Sequence, residues 1–333
     1  MFLNNDELLH LITTDDKTEI ESLLSQARKI REEYYGKRVF IRGLIEFTNY
    51  CKNDCYYCGI RCSNSKLERF RLSPEEILDC CREGDALGIK TFVLQGGEDP
   101  WFTTDRVTKI ITLVRSEFPD HAITLSIGER TENDYRQFHS AGVNRYLLRH
   151  ETASSAHYSK LHPPKMSLDE RKRCLFKLKE IGYQTGAGFM VGSPFQTPEC
   201  LLDDIRFMEE LQPQMAGIGP FIPQKDTPFG DQAHGNILLC LKMLAIVRIL
   251  LPKALIPATT AMETVAPNGR ELALNAGANI VMPNLTPASI KKLYTIYDNK
   301  ASGGDEAGQI LSGIKEMIIN AGYTPDMSRG DAL

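Results

Sequence analysis

Three cysteines, Cys51, Cys55 and Cys58, stand in a C-x3-C-x2-C arrangement within Asn49-Tyr50-Cys51-Lys52-Asn53-Asp54-Cys55-Tyr56-Tyr57-Cys58-Gly59. Thiolates so spaced on one loop can converge on a single metal centre, and soft sulfur ligands select zinc, copper(I) or an iron–sulfur cluster. Structural zinc asks for a closed set of four ligands, usually from two separated pairs. The chain has no second C-x2-C-type pair far away in sequence. Cys62 could supply a fourth thiolate, but four sulfurs from so short a loop would make a cramped tetrahedron. A cubane held by three cysteines leaves one iron without a protein ligand, open to bind something else.

The chain has nine cysteines. An odd number cannot all pair internally, and a disulfide framework is not expected in a reducing compartment. Cys80, Cys81, Cys174, Cys200 and Cys240 are scattered among apolar neighbours and read as buried small hydrophobes.

Other polar groups fall at the ends of apolar runs. Gln95-Gly96-Gly97-Glu98 follows one such run; two glycines let a ligand approach the backbone, although a tight turn explains them equally well. Arg149-His150-Glu151 follows another and reads either as a surface ion-pair group or, if buried, as a set that must bind something charged. Thr259-Thr260 and the alternate pair Thr124 and Ser126 add hydroxyls; a solvated loop would account for the first pair, and strand periodicity places the second on one face.

The elements that must carry these residues alternate. β-type runs cover 39–47, 91–96, 122–127, 145–149, 185–191, 216–221, 256–260 and 279–282, with amphipathic helical stretches between them. Ser73-Pro74-Glu75-Glu76 opens one helix as a capping box, and Thr197-Pro198-Glu199 opens another in the same manner. Eight β/α units predict an α/β fold, a complete (β/α)8 TIM-type barrel with an N-terminal helical extension. The expected division is a helical extension over 1–38, the barrel over 39–295, and a C-terminal helical extension closing the barrel over 296–333. In such a barrel the chemistry sits at the C-terminal ends of the strands.

At 333 residues, 42% apolar and 25% charged, the composition is that of a globular protein, and the formal net charge is −4. There is no run of basic residues to engage nucleic acid or a membrane surface. Met1 to Asp6 lacks the features of a signal peptide, and the longest apolar stretch, 237–252, contains Lys242 and Arg248. The expectation is a cytoplasmic protein with no nucleic-acid or membrane partner.

The C-x3-C-x2-C spacing with Tyr57 before the last cysteine resembles the signature of the radical S-adenosylmethionine (radical SAM) superfamily. The resemblance extends from about residue 38 to 287. Its segments are 95–100, 145–153, 185–192, 217–223 and 256–262, and they resemble the HydE family of FeFe-hydrogenase maturases, related to biotin synthase and methylornithine synthase.

The resemblance implies one 4Fe–4S cluster on Cys51, Cys55 and Cys58, with S-adenosylmethionine chelating the open iron and cleaved reductively to a 5′-deoxyadenosyl radical. It implies that Tyr57 and Gly96-Gly97-Glu98 lie in the cofactor site, with Glu151 at the ribose, Arg171 at the methionyl carboxylate, and Met215 and Ile218 at the adenosyl region. Asp169-Glu170-Arg171-Lys172-Arg173 could instead be a solvated helix face. Arg149, Thr259, Thr260, Thr124 and Ser126 would line a substrate cavity.

The implied role is assembly of the hydrogenase diiron site from a small organometallic iron–cysteine substrate, with transient contacts to other maturases and an electron donor. Some family members carry a second cysteine group near the C-terminus; residues 299–322 contain none, so a single cluster is expected, and Cys62 has no assigned role. The competing readings are a methylornithine-synthase-like radical mutase and a non-catalytic iron–sulfur carrier.

Overall fold

The computed structural model describes residues 3–300 and 307–333. Its strands are β1 (Arg38–Ile41), β2 (Gly43–Thr48), β3 (Thr91–Gly96), β4 (Ala122–Ser126), β5 (Arg145–Leu147), β6 (Gln184–Ala187), β7 (Met190–Val191), β8 (Met215–Ala216), β9 (Gly219–Pro220), β10 (Ile280–Val281) and β11 (Thr324–Asp326). β2, β3, β4, β5, β6 and β8 form a six-stranded parallel sheet in that order. Beyond β8 the pairing thins to single parallel bridges, Met215 with Leu255, Pro257 with Ile280, and Asn284 with Leu44 of β2.

Register decides which residues share a face. Leu44, Val93, Thr124, Arg145 and Gln184 are successive partners across the sheet, and Glu46, Gln95 and Ser126 form the next row. The alternate residues face the helices: the ring of Phe92 packs against Phe118 and stacks on His121. The row holding Thr124 therefore looks inward, away from the helical layer.

Several expected runs are divided. Residues 39–47 become β1 and β2, with β1 pairing to β10 and β11 instead of joining the six-stranded sheet. Runs 185–191 and 216–221 each split where their backbones meet: a Cβ on Gly188 would lie 2.0 Å from the carbonyl oxygen of Gly217. Residues 256–260 form no strand: the segment is held only by single bridges at Leu255 and Pro257, and Thr260 already begins the helix Thr260–Val265.

Caps explain where helices begin. The Ser73 side chain accepts from Glu76 N–H while Glu76 returns the bond, as expected of a capping box. Thr197 differs, since it makes no side-chain cap and its hydroxyl instead lies 3.5 Å from Cys200 Sγ. The N-terminal helices Asn5–Thr13 and Lys17–Tyr35 lie against the buried helix Ile237–Leu250. Lys242 of that helix donates to the carbonyls of Ile12 and Thr14, each at 2.7 Å, which satisfies its buried ammonium.

The C-terminal part is not helical throughout. After the helix Ala307–Asn320, β11 pairs with β1, and the tail crosses the strand starts. Arg145 Nη2 donates to Arg329 O at 2.8 Å and to Asp331 Oδ1 at 2.7 Å, while Arg42 Nη2 donates to Gly330 O at 3.0 Å. Gly330 takes φ +56°, and a Cβ there would sit 2.7 Å from the Phe40 ring. The end opposite the expected chemistry is thus covered by backbone carbonyls bonded to two buried arginines.

Candidate active site

The loop after β2 has little regular structure, so its position comes from bonds to other parts of the chain. Asn49 donates from Nδ2 to the carbonyls of Glu68 and Leu293, at 2.8 and 2.9 Å, and accepts from Phe70 N–H at 2.8 Å. Lys52 N–H reaches Glu98 O, Tyr56 N–H reaches Leu161 O, and Gly59 N–H reaches Ile296 O. Anchored in this way, Cys51, Cys55 and Cys58 are half-buried, and Cys62 is exposed.

All nine cysteines are free thiols, and the five scattered ones are buried. Burial pushes the Cys58 thiol up to about 12 and raises Cys51 as well. Cys55 is raised well above the ordinary value by burial and then by Cys58 and Cys51, so the three thiols lie close enough to oppose one another's ionisation. Among the described residues no group of three His, Cys, Asp or Glu side chains is arranged to hold a metal ion. A cubane cluster spreads its thiolates over separate corner irons, so this donor set fits a cluster better than one small cation.

The loop after β3 lies directly against these cysteines. A Cβ on Gly97 would fall 2.2 Å from Tyr50 O and 2.8 Å from Cys51 Cβ, so only glycine allows this approach. Glu98 is buried, with Oε2 3.3 Å from Lys52 Nζ and Oε1 3.6 Å from Arg171 Nη2. Its Oε2 has no hydrogen bond.

Arg171 is buried, which removes the solvated-face reading. Its Nε lies 2.6 Å from Glu129 Oε1, and its Nη1 donates to Arg149 O at 3.3 Å. Burial works against the guanidinium charge, but Glu129 and Glu98 outweigh it and raise the pKa.

Past β5, Arg149 Nη2 stands 3.0 Å from Glu151 Oε2, yet Arg149 Nε and Nη2 and Glu151 Oε2 all lack a hydrogen bond. Glu151 adopts φ +66°, a left-handed conformation that costs energy for a residue other than glycine. It is kept there by its N–H to Gly188 O and by Met190 N–H to its own carbonyl, both at 3.1 Å. Tyr57 OH is 3.1 Å from His162 Nε2 with the rings perpendicular, and burial lowers His162 to about 3.

The hydroxyl residues divide. Cβ atoms on Gly217 and Gly219 would approach Arg149 Cδ at 3.6 Å and Thr259 Oγ1 at 3.1 Å, so these glycines leave room beside both side chains. Thr124 Oγ1 and Thr259 Oγ1 are buried and unbonded. Ser126 lies in the inward row beside Gln95. Thr260 turns elsewhere: its hydroxyl accepts from Arg270 Nη2 at 3.3 Å, and it lines a cavity of about 360 Å³ with Arg270, Glu263, Asn284 and Lys300.

Two expected adenosyl contacts are placed differently. Met215 opens β8 at the far end of the sheet, its sulfur accepting from Arg42 Nη1 at 3.4 Å amid Tyr35, Phe40 and Leu255. Position at a strand start, not its end, takes it away from the cysteine loop. The Ile218 side chain is wholly enclosed in the main apolar core, leaving its backbone as the part able to face a ligand.

Sequence reasoning missed Glu129, His162 and Glu46. Glu46 is buried in an inward row, bonded to Asn284 Nδ2 at 2.8 Å and paired with Lys300. A lone carboxylate between Ile45 and Phe47 was the available signal.

The Radical SAM superfamily profile matches residues 45–208. The FeFe-hydrogenase maturase subunit HydE of Thermotoga maritima is 43% identical over 97% of this chain and 92% of its own length. The chain belongs to the HydE family of the radical SAM superfamily. Proteins of this superfamily bind a 4Fe–4S cluster and S-adenosylmethionine. The HydE-family chain is also similar to 3-methylornithine synthase of Methanosarcina acetivorans, at 33% identity over 95% of the chain and 88% of that protein. A crystal structure of methylornithine synthase (PylB) superposes with a TM-score of 0.85 at 29% identity, covering 98% and 95% of the two chains. The maturase HydG of Carboxydothermus hydrogenoformans shares the fold, with a TM-score of 0.82 at 24% identity over 98% of this chain and 76% of that one. Among the described residues no helix is long and apolar enough to cross a membrane.

Proposed function

We propose that this HydE-family protein cleaves S-adenosylmethionine reductively and uses the resulting radical in assembly of the FeFe-hydrogenase diiron site. The observation that carries the reading is the contact between the C-x3-C-x2-C loop and Gly97, which sets Cys51 against the turn that carries the buried, under-bonded carboxylate of Glu98. Cys51, Cys55 and Cys58 would hold one 4Fe–4S cluster. When bound, the reduced cluster supplies the electron that splits S-adenosylmethionine into methionine and a 5′-deoxyadenosyl radical.

The chain's own residues bind and orient. Gly96 and Gly97 let a ligand reach the backbone, Glu98 accepts from its ammonium group, and Arg171 donates to its carboxylate. Glu151 accepts from ribose hydroxyls, Tyr57 closes the cluster side, and the Ile218 backbone flanks the base. Arg149, Thr259 and Thr124 have donors fixed in place but unbonded; with Ser126 they suit an anionic, cysteine-bearing iron species, whereas the Thr260 hydroxyl, engaged by Arg270, would serve that species only from the neighbouring cavity. Enclosure protects a primary radical from solvent and stray hydrogen donors.

The bridges at Met215–Leu255, Pro257–Ile280 and Leu44–Asn284 support closure of the six-stranded sheet into a complete (β/α)8 barrel over 39–295, flanked by terminal segments 1–38 and 296–333. Nine free cysteines suit the reducing cytoplasm. Other maturases and an electron donor are the expected transient partners. A mutase acting on an amino acid is the second reading, favoured by the likeness to methylornithine synthase.

The test is maturation: the reconstituted protein should replace HydE in producing active FeFe-hydrogenase, and should form 5′-deoxyadenosine when reduced with S-adenosylmethionine. Alanine at Cys51, Cys55 or Cys58 should abolish both. Methylornithine formed from lysine would favour the mutase, and no 5′-deoxyadenosine from cluster-loaded protein would leave only a carrier.

A further inference from the structure

The segment 162–167 lies against the cysteine loop and is held at both ends. At its start, His162 Nδ1 is 3.1 Å from Tyr158 O, and a carbonyl can only accept, so the ring proton sits on Nδ1. Nε2 is then the acceptor for the Tyr57 hydroxyl at 3.1 Å. The imidazole also stacks on the Tyr158 ring, with 3.9 Å between centroids. Pro163 and Pro164 follow, and their rings fix two successive φ angles. At the other end, Ser167 accepts from Glu170 N–H at 3.3 Å and opens the helix Leu168–Ile181, which carries Arg171. Tyr57 and Arg171 are both close enough to Cys55 to favour its thiolate, so each end of the segment fixes one of them.

Between these ends Met166 meets the cysteine itself. Its N–H donates to Pro163 O at 2.9 Å, closing a turn, and its Sδ lies 3.8 Å from Cys55 Sγ. Met166 is half-buried, whereas Pro164, Lys165 and Ser167 around it are exposed. Two crevices flank it, one of about 230 Å³ with Tyr158, His162 and Asp169, and one of about 300 Å³ with Lys52, Glu98 and Lys165. Among the described residues Met166 alone lines both, so its side chain is the partition between them. Shortening it would join the two crevices beside Cys55. A thioether has no donor to offer, so it keeps water from the Cys55 sulfur without putting a hydrogen bond in its place.

We propose that Met166 is the cover of the Cys55 corner of the cluster, excluding water from that sulfur and so holding the reduction potential of the centre low. The inference rests on the function proposed above and deepens it with a residue outside the cysteine motif. Reduction adds one negative charge to a centre already held by three thiolates, and water would stabilise the added charge. A side chain that excludes water therefore makes the reduced centre a stronger one-electron donor toward S-adenosylmethionine. Met166 acts through Cys55 and is a positioning residue: it ligates nothing, forms no bond and moves no proton.

Two measurements test the cover. In the full chain before cluster loading, alkylation of Cys55 by iodoacetamide is followed by mass spectrometry against the exposed Cys62 of the same molecule. Met166→Ala and Met166→Ser should raise the ratio of the Cys55 rate to the Cys62 rate severalfold, and Met166→Leu, which keeps the bulk, should leave it unchanged. In the reconstituted holoenzyme, a potentiometric titration followed by electron paramagnetic resonance reads the midpoint potential. Met166→Ala and Met166→Ser should move it to a less negative value, and Met166→Leu should not move it.

An unmoved midpoint, or an unmoved alkylation ratio, in both shortened variants overturns the proposal. So does a shift in Met166→Leu as large as that in Met166→Ala, which would assign the effect to the sulfur atom and not to the bulk that excludes water. Failure of the unaltered protein to bind iron on reconstitution would count against the proposed function instead, while the alkylation ratio would still judge the cover.

Discussion

His150 Nε2 lies 3.2 Å from Asp204 Oδ1, and neither side chain has any exposed surface. Gly188 N–H points to His150 Nδ1 at 3.4 Å, which leaves the ring proton on Nε2, facing the carboxyl group. Asp204 Oδ1 also accepts from Ala153 N–H at 2.5 Å. Burial lowers the His150 pKa and raises that of Asp204, favouring the neutral form of each. The pair grips residues 150 and 153 on either side of Glu151, the residue held at φ +66°. Asp204→Ala should cost about 1–3 kcal/mol in stability through the unbonded groups it leaves behind. It should also weaken S-adenosylmethionine binding more than Asp204→Asn, which keeps an acceptor; thermal melts and a binding titration read the two effects separately.

Arg171 is the cation shared by two carboxylates, with Glu129 at 2.6 Å and Glu98 at 3.6 Å. Arg171→Ala would leave both carboxylates short of charge in a buried setting, and breaking a buried pair in this way costs about 3–5 kcal/mol. Arg171→Lys keeps a charge but not the planar fork. Lysine should therefore restore most of the melting temperature lost in the alanine variant while leaving S-adenosylmethionine affinity impaired.

Neighbouring glycines at 96 and 97 should respond differently to alanine. On Gly96 the new Cβ would meet the Thr48 methyl at 2.6 Å, a side-chain atom able to shift. On Gly97 it would meet Tyr50 O at 2.2 Å, part of the backbone leading into Cys51. Gly97→Ala should lose most of its iron after reconstitution with the fold intact by circular dichroism, and Gly96→Ala should retain more iron than Gly97→Ala.

Asp331 links the C-terminal tail to Arg145 at 2.7 Å. Burial raises its pKa, but Arg145 and Gln184 outweigh that effect and hold it down to about 2. An unfolded aspartate titrates near ~3.9, so the ion pair's contribution is full above about pH 4 and is lost as pH falls toward about 2. Asp331→Asn should melt earlier than the unaltered chain at pH 5, and the difference should close by about pH 2.

Local spacing made the cysteine loop readable. Cys51, Cys55 and Cys58 are neighbours along the chain, and ligand sets on one loop depend little on the remaining fold. The run Gln95 to Glu98 is equally local, and the fold adds that Gly97 lies against Tyr50 and Cys51. The burial of Arg171 was not, because the charged run 169–173 has the composition of a wet surface, and Glu129 and Glu98 come from two other loops. Met215 illustrates another limit: alternation along a strand assigns a face but does not say which end a residue occupies, and the register with Gly186 puts it at the start. β11 had no apolar alternation to reveal it, since Thr324, Pro325 and Asp326 are strand residues only through pairing with β1.

The sequence by itself determined the cysteine spacing, the α/β alternation and the family, all of which are written in short-range patterns of residue type. Tertiary structure decided which charges are buried together: Glu98 with Arg171 and Glu129, His150 with Asp204, and Glu46 with Lys300. It also decided that the tail meets Arg145 at one end of the sheet while the cysteines meet Gly97 at the other. These relationships join residues far apart along the chain, and desolvation gives them their consequences. A carboxylate or guanidinium has the same formula in water as in a closed site, and only the fold sets which partners remain once water has been excluded.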